Sequence, residues 1–277
     1  MIILKKFNNN AVMVNKNGHE VVLMGNGLGF GVSKGDSVDE KRIEKTFVLN
    51  DMNHQILVNT LSEVPDNYIK LTEKIVRFAA KNLDCQFNEY FYLTLADHLY
   101  HAILRNKLGK NVINPLKNEI KKIYPKEYST AKKIIDLIFE TENIIFDDEE
   151  ATFITLHLVN GQHSLLSCEF EAQNIPRMVK EIVKIVEFHF SVELKKDSVY
   201  YDRFISHLKT FIERIFNDNQ YIEHTNDLVF FEDLKQKDIK CYECVNKIVN
   251  YIEKKQNIHV AEDERFYLFV YLYRITH

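Results

Sequence analysis

The glycines of this chain are unevenly spread, and their placement decides what each part can fold into. Six of the eight, Gly18, Gly25, Gly27, Gly29, Gly31 and Gly35, fall within the first 50 of 277 residues. Gly and Pro punctuate turns, so the first stretch must turn often, and the glycine-poor remainder is free to run in long helices. The apolar pattern agrees. Ile2-Ile3-Leu4, Ala11-Val12-Met13-Val14, Val21-Val22-Leu23-Met24 and Thr46-Phe47-Val48-Leu49 read as short strands. Asn17-Gly18, between the second and third, is the strongest short hairpin signal. From about residue 56 the period becomes helical. Leu71, Ile75, Val76 and Ala79 share one face, as do Phe91, Leu95, Leu99 and Ala102. Ile134, Ile135 and Ile138, then Phe153, Ile154 and Leu158, continue the pattern. The sequence predicts a multidomain chain, a small antiparallel β domain followed by all-α helical bundles. So small a β module buries little surface alone, which makes it a candidate for dimerisation.

The helical part carries a weak duplication. Leu71, Ile75 and Val76 recur as Met178, Ile182 and Val183. His98-Leu99 with Ile103 and Arg105 recurs as His207-Leu208 with Ile212 and Arg214. Lys133-Ile134 with Ile138 recurs as Lys247-Ile248 with Ile252. Glu150 with Phe153, Ile154, His157 and Leu158 recurs as Glu264 with Tyr267, Leu268, Tyr271 and Leu272. The offsets are 107, 109, 114 and 114. Such small drift describes two related units, each of about five helices. Residues 169–176 are a plausible joint, with Pro176 suited to the first turn of the next helix.

Several chemistries are disfavoured. No run approaches the roughly 18 apolar residues of a bilayer span. Met1-Ile2-Ile3-Leu4-Lys5-Lys6 turns basic too soon for a signal peptide, so a cytoplasmic protein without membrane insertion is expected. Cys241 and Cys244 form a C-x-x-C, but no second pair follows and both lie in a helical pattern; neither redox nor zinc chemistry is expected. Cys85 and Cys168 are isolated and read as packed. Gly25-Asn26-Gly27-Leu28-Gly29-Phe30-Gly31 departs from G-x-G-x-x-G, and no apolar helical period follows it, so it is not a dinucleotide site. Its glycines instead allow close backbone approach or strand crossing. Asp97-His98 with His101 gives H-x-x-H on one helix, but no further ligands with fixed spacing accompany it. No nucleophile–base arrangement is visible, so neither an enzyme nor a cofactor or metal is expected.

Two features remain. The duplication keeps a histidine before leucine at His98 and His207, and His157 is a second such position in the first unit. An accessible unprotonated ring needs only a neighbour to orient it for reversible phosphorylation, and Asp97 or Arg105 could serve. The first 34 residues carry four lysines against Glu20, a local charge of +3 in a chain whose net charge is −4. Asn8, Asn9, Asn10 and Asn26 can read base edges, and Phe30 can stack on an unpaired base.

These residues together resemble a known family. Lys5-Lys6-Phe7-Asn8-Asn9-Asn10-Ala11-Val12, Met24-Gly25-Asn26-Gly27-Leu28-Gly29-Phe30, Gly35-Asp36 and Ile43-Glu44-Lys45 resemble the co-antiterminator RNA-binding domain. Asp97-His98, Leu156-His157-Leu158-Val159-Asn160 and Ser206-His207-Leu208-Lys209 resemble phosphotransferase-system regulation domains. In order, spacing and length the whole chain is similar to the BglG/SacY/LicT transcriptional antiterminators. The resemblance implies an RNA-binding domain over 1–55 and regulation domains over 62–168 and 172–277. It implies a homodimer that binds a hairpin in leader RNA and excludes a terminator in a sugar-utilisation operon. It places RNA contacts at Lys5, Asn10, Gly25, Asn26 and Phe30. It implies phosphorylation at His98 and His157 by a sugar-specific permease and at His207 by the phosphocarrier HPr. Two departures stand out. Asn26 occupies a place where the family often has Arg or Lys, which removes a charge. Tyr271 stands where a fourth histidine is expected, so control through the second unit must rest on His207, be weakened or be lost. A DNA-binding activator sharing the regulation domains is the alternative of another class; it would need a helix-turn-helix near the N-terminus, against which the hairpin argues.

Overall fold

The structure is a computed structural model and describes residues 1–48, 54–88, 90, 91–110, 112–162, 172–216 and 228–277. Four antiparallel strands form one sheet in chain order: β1 (Ile3–Lys6), β2 (Ala11–Lys16), β3 (His19–Met24) and β4 (Lys45–Val48). Asn17 and Gly18 both take positive φ, 54° and 86°, which closes the β2–β3 hairpin with the twist its strands require. The helices are α1 (His54–Glu63), α2 (Asp66–Leu83), α3 (Phe91–Lys107), α4 (Lys117–Ile123), α5 (Pro125–Glu142), α6 (Asp148–Gln162), α7 (Asn174–Phe190), α8 (Val199–Phe216), α9 (Leu228–Lys237), α10 (Ile239–Gln256) and α11 (Glu262–Thr276). Pro176 sits in the first turn of α7, as anticipated. Leu49, Cys168 and the joint's residues 169–171 lie outside the described residues.

Register assigns side chains to the two sheet faces. Val12 pairs with Leu23 and Val14 with Val21, and this face, with Ile3, is covered by Leu28 and Val38 of the β3–β4 connection. Ala11 pairs with Met24, Met13 with Val22 and Val22 with Phe47. That second face packs into one apolar core with Leu71 and Ile75 of α2, Tyr92 and Leu95 of α3, Ile134 and Ile138 of α5, and Ile154 and Leu158 of α6. Each buried leucine or isoleucine side chain contributes about 1.5–3 kcal/mol to that assembly.

The chain groups into two compact units. One comprises Met1–Ile113 and Lys126–Leu165; the other comprises Asn114–Pro125 and Leu166–His277. Helix α4 therefore belongs to the second unit although its sequence falls between helices of the first. Tyr124, which ends it, donates its hydroxyl to the Ala172 carbonyl at 3.0 Å, and Lys122 pairs with Asp202 at 2.8 Å. The second unit's core holds Ile182 of α7, Leu208 and Ile212 of α8, Ile248 and Ile252 of α10, and Leu268 and Leu272 of α11.

The duplication is visible in how helices stop. Without glycines to use, α2, α5, α7 and α10 end at Asp84, Asn143, Ser191 and Asn257, each in the left-handed region. Small polar side chains are the usual alternative to glycine there. Asp84 and Ser191 are 107 residues apart, and Asn143 and Asn257 are 114 apart, the offsets of the sequence repeat.

Cys241 and Cys244 lie fully buried in the α10 core. Burial pushes both thiols up, Cys244 to about 12, so they behave as packed side chains. No described helix is long and apolar enough to cross a membrane.

A Cβ at Gly25 would run into the Arg42 carbonyl. Gly25→Ala is expected to destabilise the first unit by about 1–3 kcal/mol, read as an earlier urea midpoint with unchanged helical content at low denaturant.

Candidate RNA edge and histidine sites

The sheet presents one built edge. The Asn10 carbonyl accepts from the Gly25 amide at 2.9 Å, and its Oδ1 accepts from the Gly27 amide at 2.8 Å. Asn10 thereby clamps the loop after β3. Gly27 takes a positive φ of 67°, and Gly25 lies where the Arg42 backbone leaves no room for a side chain. The close approach anticipated for these glycines is thus made by the protein's own chain. Asn26 is exposed beside them, and its amide lies 3.4 Å from Glu44 Oε1. Asn10, Gly25 and Asn26 line a single cleft. Phe30 follows on the same loop and is 72% exposed, an unusual position for a phenylalanine with no partner to cover it. Lys5 is exposed on β1, its Nζ 4.9 Å from the Phe7 ring.

Two details depart from the sequence reading. Asn8 is not free for base edges: its Oδ1 accepts from the Asn10 amide at 2.9 Å, and its Nδ2 donates to the Leu61 carbonyl at 3.3 Å. Asn26 does not leave its loop without a cation, because Arg42 Nη1 donates to the Gly27 carbonyl at 3.3 Å. Sixteen residues of sequence separate Arg42 from Asn26, and only the return of β4 brings them together.

In the first unit, His98 and Arg105 are seven residues apart on α3, and Glu150 and His157 are seven apart on α6. Two turns of helix put each pair on one face. The His98 and His157 rings lie 4.5 Å apart, centroid to centroid. His98 Nε2 is 2.6 Å from Glu150 Oε1, and Arg105 Nη2 is 3.6 Å from Glu150 Oε2. The His98–Glu150 contact is close but poorly aligned for a hydrogen bond, so both atoms are buried without a hydrogen-bond partner. Burial holds His157 well below the ordinary histidine range, and the adjacent His98 ring lowers it further.

The second unit repeats this arrangement on α8 and α11. His207 Nε2 is 3.7 Å from Glu264 Oε2, and Arg214 pairs with Glu264 Oε1. Tyr271 stacks on His207 at 4.7 Å, in the place that His157 takes against His98. Burial, assisted by Arg214, lowers His207 to about 4, and burial raises the Glu264 carboxyl against the pull of Arg214. His207 Nε2 and Glu264 Oε2 are likewise buried without a hydrogen-bond partner. Buried polar atoms without a hydrogen bond are uncommon. Here they recur at equivalent positions.

The carboxylates correct an expectation. Asp97 was a candidate to orient His98; it faces His101 instead, at 3.6 Å. Glu150 takes that role, and Glu264 does so for His207. Both glutamates stand in the sequence duplication, which was the signal available. Among the described residues no group of histidine, cysteine and carboxylate side chains is arranged to hold a metal.

Comparison with known proteins decides the family. Residues 1–55 match the CAT RNA binding domain, and residues 73–161 and 180–275 each match the PRD domain. The chain is 35% identical to the transcription antiterminator LicT of Bacillus subtilis (strain 168), across 100% of this chain and 99% of that protein. The chain belongs to the PRD-domain transcription antiterminators. A second member, the beta-glucoside operon antiterminator of Dickeya chrysanthemi, is 31% identical across 99% of this chain and 96% of its own length. A solved structure, described as GlcT CAT-PRDI, is 29% identical with a TM-score of 0.49 and covers 59% of this chain and 99% of its own. The antiterminator's built edge therefore lies in its RNA-binding domain, and each half-buried quartet lies in a PRD domain.

A histidine that is held neutral when folded binds protons more readily once unfolded. Its contribution to stability is complete above pH 6.5 and is lost as the pH falls from 6.5 towards 4. For His207, faced by Arg214, Glu264, Tyr267 and Tyr271, the loss between pH 7 and pH 5 is up to about 2 kcal/mol. His207→Asn should lose less stability than the parent over that interval in urea denaturation.

Proposed function

We propose that this antiterminator binds, as a homodimer, a hairpin in the leader RNA of a sugar-utilisation operon, and that bound protein excludes the overlapping terminator. Lys5 meets phosphate, Asn10 and Asn26 reach base edges, the Gly25 loop approaches the nucleic acid, and Phe30 stacks on an unpaired base. The observation that carries this reading is Phe30, 72% exposed on a loop whose Gly27 amide is bound by Asn10 Oδ1. Stacking on an aromatic contributes about 1–3 kcal/mol per base. We assign residues 1–55, 62–168 and 172–277 to the three domains, and place the protein in the cytoplasm beside nascent transcripts.

Control comes through His98, His157 and His207. A neutral imidazole is the form that accepts phosphate, and burial keeps His157 and His207 neutral near pH 7. The sugar-specific permease phosphorylates His98 and His157; HPr phosphorylates His207. A phosphohistidine brings a charge of about −1.5 to −2. Beside Glu150 or Glu264 that charge repels the carboxylate and competes for Arg105 or Arg214, which displaces one helix against its neighbour. A second reading, loss of phosphate control in the second PRD domain, is favoured by Tyr271, whose hydroxyl offers no ring nitrogen.

Phe30→Ala should weaken binding to the transcribed leader by about 10- to 100-fold in a gel shift, with circular dichroism unchanged. Equal affinity of the parent for duplex DNA would count against the reading. His207→Ala should abolish HPr-dependent incorporation of acid-labile phosphate into the second PRD domain and lower antitermination in cells; unchanged activity would favour the second reading.

A further inference from the structure

The cleft that holds Asn10, Gly25 and Asn26 has a second wall. Its volume is about 410 Å³, and the opposite side is made by Ile69, Lys70, Glu73, Lys74 and Arg77 of α2, with Tyr92 of α3 behind them. Lys70, Lys74 and Arg77 stand at i, i+4 and i+7, so they form one stripe along the helix. All three are exposed. The stripe faces the cleft because α2 cannot rotate: Tyr68, Leu71, Thr72, Ile75 and Ala79 on its other side are buried. The Tyr92 hydroxyl donates to the Ile69 carbonyl at 3.1 Å and ties α2 to α3.

The charge in this cleft is unlike that of the chain around it. Lys45 of β4 lies on its floor, 3.7 Å from the Tyr92 ring centroid. With Lys70, Lys74 and Arg77 it gives four cations against Glu44 and Glu73, in a chain whose net charge is −4. Glu73 is engaged by Arg77 at 2.7 Å. Lys70 and Lys74 have no ion-pair partner among the described residues. A helix face that is merely solvated needs no such concentration of one sign, and like charges one turn apart cost a few tenths of a kcal/mol each.

The geometry points to the Lys70–Lys74–Arg77 stripe as a second RNA-contacting surface, which grips the phosphate backbone beside the bases reached by Asn10, Asn26 and Phe30. The inference rests on the RNA reading above. Contacts of this kind add affinity and fix orientation but carry no sequence information. They also place RNA on a helix that packs against α3, which bears His98.

The test compares the parent, Phe30→Ala and the triple variant Lys70→Gln/Lys74→Gln/Arg77→Gln as full-length chains, each titrated with the transcribed leader RNA from about 0.05 to 0.3 M salt. The triple variant should bind more weakly at low salt, and its slope of log K against log salt should be shallower by about 2 to 3. Its preference for the leader over the same hairpin with the internal loops closed should be unchanged. Lys70→Arg/Lys74→Arg should keep the parental slope. An unchanged slope in the triple variant, with affinity lost in Phe30→Ala, overturns the α2 surface and leaves the RNA reading standing. Tighter binding by the triple variant also overturns it and makes α2 an obstruction. Failure of the parent to prefer leader RNA overturns both.

Discussion

A four-stranded sheet with apolar side chains on both faces cannot stand in water by itself, and the first unit is organised around that fact. One face is closed by the chain's own β3–β4 connection through Leu28 and Val38. The other face, Ala11, Val22, Met24 and Phe47, is closed by the helical core. This second contact holds the RNA-binding domain and the first PRD domain together as one compact body. It also sets the rotation of α2 and the depth of the loop that Asn10 clamps. The cleft between them is therefore a by-product of core packing, shaped by residues that never meet solvent.

The PRD domains solve a different problem. A carboxylate buried among helices is costly unless it is paired, and each domain supplies one arginine and one imidazole to a single glutamate. The spacing of seven on each of two helices is what allows it, since two residues on each helix then reach the same point. The pairing is incomplete in both domains at the same atoms, His98 and Glu150 in one and His207 and Glu264 in the other. The same contact recurs at equivalent positions of the repeat.

Much of this was legible in the sequence because it depends on local rules. The Asn17-Gly18 turn, the switch from strand to helical period and the doubled offsets follow from neighbours a few residues apart. The left-handed helix ends at Asp84 and Ser191, and at Asn143 and Asn257, keep the same offsets. What escaped depends on long-range approach. Asp97 is adjacent to His98 in sequence, yet consecutive helical residues point in different directions, and the partner comes from α6 instead. Arg42 comes beside the loop that carries Asn26 only because β4 returns alongside it. The grouping of α4 with the second unit rests on Tyr124 and Lys122 finding partners at Ala172 and Asp202, far along the chain. Periodicity places such residues on a helix face, but the face they meet is decided by the assembled core.

The burial of His157 and His207 has one more consequence. Histidine is ordinarily the side chain through which a protein senses acidity, because its charge changes near neutral pH. Burial shifts both rings below that range, so each takes up a proton at a lower pH than an exposed histidine would. Mild acidification and a covalent mark can both place charge on an imidazole. Lowering these two pKa values makes the first harder, so the medium must turn more acidic before either ring takes up a proton.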